Sequence, residues 1–169
     1  MAGSAIPTGT VLVVDDEEPV RVALTQVLQR LGYAVIAAES GEEALERLQQ
    51  APVEVIVTDQ HMPGLSGIDL LKIVRVRHPR VVRIMLTGDK DPEIPVRSIN
   101  ESEVYRFIRK PWSNNDLRTV LSFAFEIARL EQEKRHLVTL LKNQLASRDD
   151  PADIEKELVK LAEEEIQDP

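Results

Sequence analysis

The sequence contains no cysteine. Disulfides and thiolate metal sites are therefore excluded, and the chain suits a reducing compartment. No run approaches the ~18 consecutive apolar residues of a membrane span. Residues 1–9 lack both the basic stretch and the apolar stretch of a secretory leader. A cytoplasmic protein with no membrane association is the expectation. Basic excess is missing too: 21 Lys and Arg stand against 29 Asp and Glu, a net charge of −8. DNA binding wants a basic face, and no helix-turn-helix pattern follows Lys110 in which a recognition helix could lodge. DNA binding within this chain is accordingly not expected. Much of the acidity is local, since residues 149–169 hold nine Asp or Glu against two Lys.

What the chain does have is four short apolar runs, each ending on a residue that phosphoryl-transfer chemistry uses. Val11-Leu12-Val13-Val14 leads into Asp15-Asp16, and Val53-Glu54-Val55-Ile56-Val57-Thr58 into Asp59. Val81-Val82-Arg83-Ile84-Met85-Leu86 ends at Thr87, and Val104-Tyr105-Arg106-Phe107-Ile108-Arg109 at Lys110-Pro111. Short β-branched runs separated by helix-length segments read as parallel strands with crossover helices. The carboxyl ends of such strands line one edge of an open sheet, where ligands bind. Three carboxylates, a hydroxyl and an ammonium are thus expected to converge on one crevice.

Clustered carboxylates repel unless a cation sits among them. Oxygen-only ligation suits Mg²⁺ better than zinc. A carboxylate oxygen left facing outward can attack phosphorus and form an acyl phosphate. Asp59 is the best nucleophile, because it ends the central run and is followed at once by the turn Met62-Pro63-Gly64. Asp15 and Asp16 are better placed as metal ligands. Lys110 would neutralise phosphoryl oxygens, and the Thr87 hydroxyl would donate to one of them.

In this order the residues resemble the receiver domain of two-component response regulators, over roughly residues 9–128. The resemblance implies a flavodoxin-like α/β fold, a doubly wound five-stranded parallel sheet. It further implies that Asp59 accepts the phosphoryl group from a sensor histidine kinase or phosphotransfer protein. Mg²⁺ would be held by Asp15, Asp16, Asp59 and the backbone carbonyl of His61, with Asp16 the more direct ligand of the acidic pair. Thr87 and Phe107 would be the switch pair, Lys110 the phosphate-binding lysine, and Pro111 would follow a cis bond. His61 and Asp89 would flank the path of a hydrolytic water. No enzymatic activity beyond the domain's own phosphorylation and dephosphorylation is expected.

Between the runs, helix ends are legible. Residues 18–31 carry an apolar stripe stopped by Gly32, and Ser40 with Glu43 forms a capping box that Ser66 with Asp69 repeats more weakly. Asp91-Pro92 opens a helix weakened by Pro95, a place for movement. Ser113 and Asp116 begin the last helix of the domain. From 117 to 146 there is neither Gly nor Pro, and Val120, Phe123, Ile127, Leu130, Lys134, Leu137, Leu141 and Gln144 trace a heptad seam. A homodimer through this extended helix is expected. His136 in that helix reads as a solvated coil position, and Arg75, Arg77, His78 and Arg80 as dipole-complementing cations at a helix end. After a break at 147–151, Asp150 and Pro151 open an acidic helix over 152–166.

The expected organisation is a tail over 1–9, a receiver over 10–128, a coiled-coil extension over 129–148 and an acidic helical tail over 149–169. Two alternatives stand beside the receiver switch. One is that the chain is the N-terminal receiver part of a longer effector enzyme: the stretch from Ser98 to Trp112 resembles receivers fused to HD-GYP phosphodiesterases of cyclic di-GMP, although no HD or GYP motif lies in this chain. The other is a coiled-coil adaptor in which phosphorylation is incidental.

Overall fold

The computed structural model describes residues 9–88 and 104–146, with side chains to 144. The expectations for Asp89, for the helix opened by Asp91-Pro92, for the break at 147–151 and for the acidic helix over 152–166 lie outside the described residues.

Five strands form one parallel sheet: β1 (Thr10–Val14), β2 (Ala34–Ala38), β3 (Val55–Asp59), β4 (Val82–Thr87) and β5 (Arg106–Arg109), in spatial order β2-β1-β3-β4-β5. Helices α1 (Glu18–Arg30), α2 (Gly41–Gln50) and α3 (Gly67–Arg77) connect them, and α4 (Asn114–Ala146) follows β5. Strand side chains alternate between faces, and the core divides accordingly. Val11, Val13, Val55, Val57, Ile84 and Leu86 pack with Leu24 and Leu28 of α1 and Leu117, Leu121 and Ala124 of α4. Leu12, Val14, Ile56 and Met85 pack instead with Ala44 and Leu48 of α2 and Leu70, Leu71 and Val74 of α3. This is the doubly wound arrangement, with helices on both faces.

The strand the apolar runs do not announce is β2. It lies at the sheet edge, and Ala34 and Ala37 are exposed. An edge strand buries less and so needs fewer branched apolar residues.

The helix caps follow the sequence. Ser40 Oγ accepts the Glu43 N–H at 3.2 Å, while Glu43 Oε2 accepts the Glu39 N–H at 2.8 Å. Ser66 Oγ accepts the Asp69 N–H at 3.3 Å, and Ser113 Oγ that of Asp116 at 3.0 Å. Gly32 closes α1 at φ +94°, a left-handed conformation that other residues rarely take.

The chain divides into two compact units, Met1–Arg129 and Leu130–Pro169. The first contains the sheet. In the second, described up to residue 146, α4 continues as uninterrupted helix, and Leu130, Leu137 and Leu141 are 51%, 59% and 42% exposed. Among the described residues no helix is long and apolar enough to cross a membrane.

Candidate functional site at the carboxyl ends of β1, β3, β4 and β5

The order β2-β1-β3 reverses the direction of winding between β1 and β3, and at such a point the strand ends open a crevice. Asp15 follows the last residue of β1, and Asp59 is the last residue of β3. Both are buried, at 0% and 7% exposure. A buried carboxylate requires compensation, and Lys110, immediately after β5, supplies it. Its Nζ lies 2.6 Å from Asp59 Oδ1 and 3.0 Å from Asp15 Oδ2.

The remaining oxygens of the two carboxylates are held by backbone. Asp59 Oδ2 accepts the His61 N–H at 2.8 Å, and Asp15 Oδ1 accepts the Glu17 N–H at 2.9 Å. Burial pushes the Asp15 carboxyl above its ordinary pKa, and the hydrogen bonds from Lys110 and the Glu17 N–H offset only part of that. Burial alone would lower the Lys110 ammonium, but its bonds to Asp59 and Asp15 outweigh it and raise the pKa. One ammonium between two buried carboxylates still leaves the pocket a positive charge short.

Thr87 ends β4 and is buried, and its carbonyl accepts the Lys110 N–H at 2.7 Å. Because Asp59 pairs with Leu86 in register, Thr87 stands one residue beyond the acidic strand end on the neighbouring strand. Alternation puts Thr87 on the same face as Met85, and Phe107, opposite Met85 in β5, packs against that face's core. The Lys110–Pro111 peptide bond is cis.

Of the acidic pair expected to converge with Asp59, Asp15 is the buried member and Asp16 is exposed. Among the described residues no three His, Cys, Asp or Glu side chains are gathered to hold a metal. Two carboxylates on one lysine, rather than three, form the gathered set. Its donors are all oxygens, the hard set that suits Mg²⁺, and the missing positive charge fits a cation; exposed Asp16 and the His61 carbonyl are its neighbours in sequence.

Sequence reasoning missed two supporting residues. Gln60, buried beside Asp59, accepts the Gly67 N–H on its carbonyl at 3.0 Å and the Ile68 N–H on its Oε1 at 3.1 Å. These bonds dock the first turn of α3 onto the end of β3, satisfying two N–H groups a helix start leaves open. A Cβ on Gly67 would collide with the Asp59 carbonyl oxygen, so glycine is required there. The other is Arg21 of α1, whose Nη1 donates to the Asp15 carbonyl at 2.6 Å. A polar residue directly after a core strand was the available signal for Gln60. For Arg21 the sequence offered none.

Comparison with known proteins agrees with this geometry. A family model described as the response regulator receiver domain matches residues 11–122. The hydrogenase transcriptional regulatory protein HoxA of Cupriavidus necator is 40% identical over 128 residues, 76% of this chain and 26% of that protein. A cyclic di-GMP phosphodiesterase of Thermotoga maritima is 32% identical over 136 residues, 80% of this chain and 36% of that protein. Among solved structures, the signal receiver domain of an HD domain-containing protein from Pseudomonas fluorescens Pf-5 superposes with a TM-score of 0.70 at 34% identity, covering 74% of this chain and 92% of that one. The chain thus spans well under half the length of these two curated relatives.

Proposed function

The chain belongs to the response regulator receiver family of two-component signalling, and from that premise we propose that Asp59 is its phosphoryl acceptor. The observation that carries the proposal is the single Lys110 ammonium shared by Asp15 and Asp59 at adjoining strand ends. An Asp59 oxygen forms the new O–P bond as the N–P bond of a donor phosphohistidine breaks, and the electron pair leaves with the imidazole. Lys110 is positioned to neutralise the phosphoryl oxygens, and Thr87 to donate its hydroxyl to one of them.

Receiver domains take Mg²⁺ at their aspartate pocket, and in this chain Asp15, Asp16, Asp59 and the His61 carbonyl would hold it. The ion would supply charge neutralisation for the transferring group. The chain's own residues do the rest. The Glu17 and His61 N–H groups fix the two carboxylates, and Gln60 keeps the end of β3 from shifting. On phosphorylation Thr87 turns toward the new charge and Phe107 moves into the space it leaves, on the face the two share.

Receiver domains exchange phosphoryl groups with histidine kinases or phosphotransfer proteins, and such a protein is the proposed donor. The relatives' names span transcriptional regulation, phosphodiesterase action and a sensor kinase. A segment common to proteins so different supports a switch without output chemistry of its own. For the organisation along the chain we propose a tail over 1–9, a receiver over 10–128, a helical extension over 129–148 and an acidic tail over 149–169. The exposed Leu130, Leu137 and Leu141 at heptad spacing support a homodimer through that extension. A cytoplasmic setting with no DNA contact within this chain completes the reading.

Acetyl phosphate with Mg²⁺ should add one phosphoryl group, labile to base and hydroxylamine, and Asp59→Asn should abolish it. An undiminished adduct on the folded variant would overturn the assignment.

A further inference from the structure

Four hydrogen bonds hold the acidic turn between β1 and α1. Asp15 Oδ1 accepts the Glu17 N–H, the Asp15 N–H reaches the Ala38 carbonyl at 3.3 Å, and the Arg21 N–H reaches the Glu17 carbonyl at 3.0 Å. The short bond is the fourth: Arg21 Nη1 to the Asp15 carbonyl at 2.6 Å, partly buried, from six residues along the chain. That carbonyl belongs to the peptide linking Asp15 to Asp16. Fixing its oxygen holds the plane of that peptide, and so restrains the backbone from which the exposed Asp16 side chain departs.

We infer that Arg21 is a positioning residue for the proposed cation site: by clamping the Asp15–Asp16 peptide it presents the Asp16 carboxylate to the metal. The inference rests on the reading of this pocket as a Mg²⁺ site. Groups behind the ligands commonly govern metal affinity because they set ligand orientation before the ion arrives. Arg21 differs from the usual partner in being a cation, and in this it works against itself. Its charge opposes a nearby Mg²⁺, while its hydrogen bond favours one. Its field also reaches Glu43, whose carboxyl is held below the usual range first by the Glu39 N–H, then by Arg47, and least by Arg21. The two effects predict opposite results when Arg21 is removed, so an experiment separates them.

Mg²⁺ alone is titrated into the full chain, following the fluorescence of Trp112, the sole tryptophan, two residues from Lys110. Metal-free melting is recorded in parallel. Arg21→Ala should weaken Mg²⁺ binding by roughly 10-fold or more, the low end of what loss of an orienting partner costs. Arg21→Lys, which keeps the charge and a donor, should recover most of the loss. The maximal rate of Asp59 phosphorylation at saturating Mg²⁺ should stay near that of the parent. An unchanged or tighter Mg²⁺ affinity in Arg21→Ala overturns the inference, because the repulsive charge would then dominate. A lowered melting temperature with unchanged affinity overturns it too, since Arg21 would then serve the fold alone. A parent chain that binds no Mg²⁺ removes the cation site itself, and the inference with it, whereas a binding parent with an insensitive variant leaves the site standing.

Discussion

Replacing Lys110 with methionine keeps an unbranched, largely apolar stem and removes the ammonium, its charge and its N–H donors together. Asp15 and Asp59 then face each other across a buried pocket with nothing between them. Removing one partner from a buried ionic cluster costs about 3–5 kcal/mol, mostly from the charge left unpaired. The cost has a ceiling, because the pocket can escape it by protonating Asp15, the fully buried member. Holding protonated a carboxyl whose ordinary pKa is 3.8 requires about 4 kcal/mol at pH 7, at 1.36 kcal/mol per pH unit. At pH 5 the same ceiling is about 1.6 kcal/mol. The variant should therefore lose about 3–4 kcal/mol of metal-free stability at pH 7 and no more than about 1.6 kcal/mol at pH 5.

The sign follows from linkage. Asp15 already titrates above its unfolded value because of burial, and losing Lys110 raises it further. A carboxyl raised in the folded state binds more protons there than in the unfolded chain, so stability falls as pH climbs above 3.8. In the parent, the raised Lys110 contributes stability that is full below 10.5 and lost as pH rises through its folded value. The variant lacks that alkaline loss. Urea unfolding at fixed protein concentration, followed by Trp112 fluorescence and circular dichroism at pH 5 and pH 7, measures the first effect, which concerns Asp15. A loss under about 1 kcal/mol that is the same at both pH values would refute the argument, since Lys110 would then not be compensating buried charge.

Three further perturbations test separate parts of the molecule. Asp16→Ala removes an exposed carboxylate and should weaken Mg²⁺ binding at least tenfold by calorimetry without lowering the metal-free melting temperature; equal affinity would remove Asp16 from the ligand set. Gly67→Ala puts a methyl against the Asp59 carbonyl and should cost about 1–3 kcal/mol in chemical unfolding while slowing phosphorylation by acetyl phosphate; parent-like values for both would mean that α3 does not need its close seat on β3. Leu137→Asp alters a residue 59% exposed in the single chain, so it should convert a dimer to monomer by light scattering with receiver stability unchanged; a parent that is monomeric at high micromolar concentration would overturn the coiled-coil proposal.

The fold was readable from the chain wherever burial on both faces forced continuous apolar strands, as in β1, β3 and β4. It was less readable at β2, where an edge position relaxes that demand and alanines suffice. Helix starts were legible because Ser40, Ser66 and Ser113 act on N–H groups three residues away, a local interaction that sequence spacing records. The pocket was legible only to the level of strand ends. Periodicity places Asp15 and Asp16 at the end of β1 but cannot say that Asp15 turns inward and Asp16 outward, which depends on the Glu17 and Arg21 bonds. Gly67 was legible as part of the turn after Asp59, but the bonds of Gln60 to α3 were not, because the seat of α3 on β3 is a contact between elements that spacing along one element does not record.

That seat bears on how a charge at Asp59 would be felt. Asp59 and Thr87 end β3 and β4, Lys110 follows β5, and the Lys110 N–H is bonded to the Thr87 carbonyl. A rearrangement of Lys110 on phosphorylation is thus one hydrogen bond from the end of β4, and Thr87 shares a face with Phe107 of β5. On the other side the links are stiffer. Asp15 is fully buried and bonded through side chain and carbonyl, and Gln60 bonds α3 to β3 twice. Rigid restraint toward β1 and α3, with the switch hydroxyl and aromatic toward β4 and β5, gives the proposed signal a direction. It should leave by the β4–β5 side of the sheet, and β2, whose described residues hold none of the pocket's side chains, should stay still.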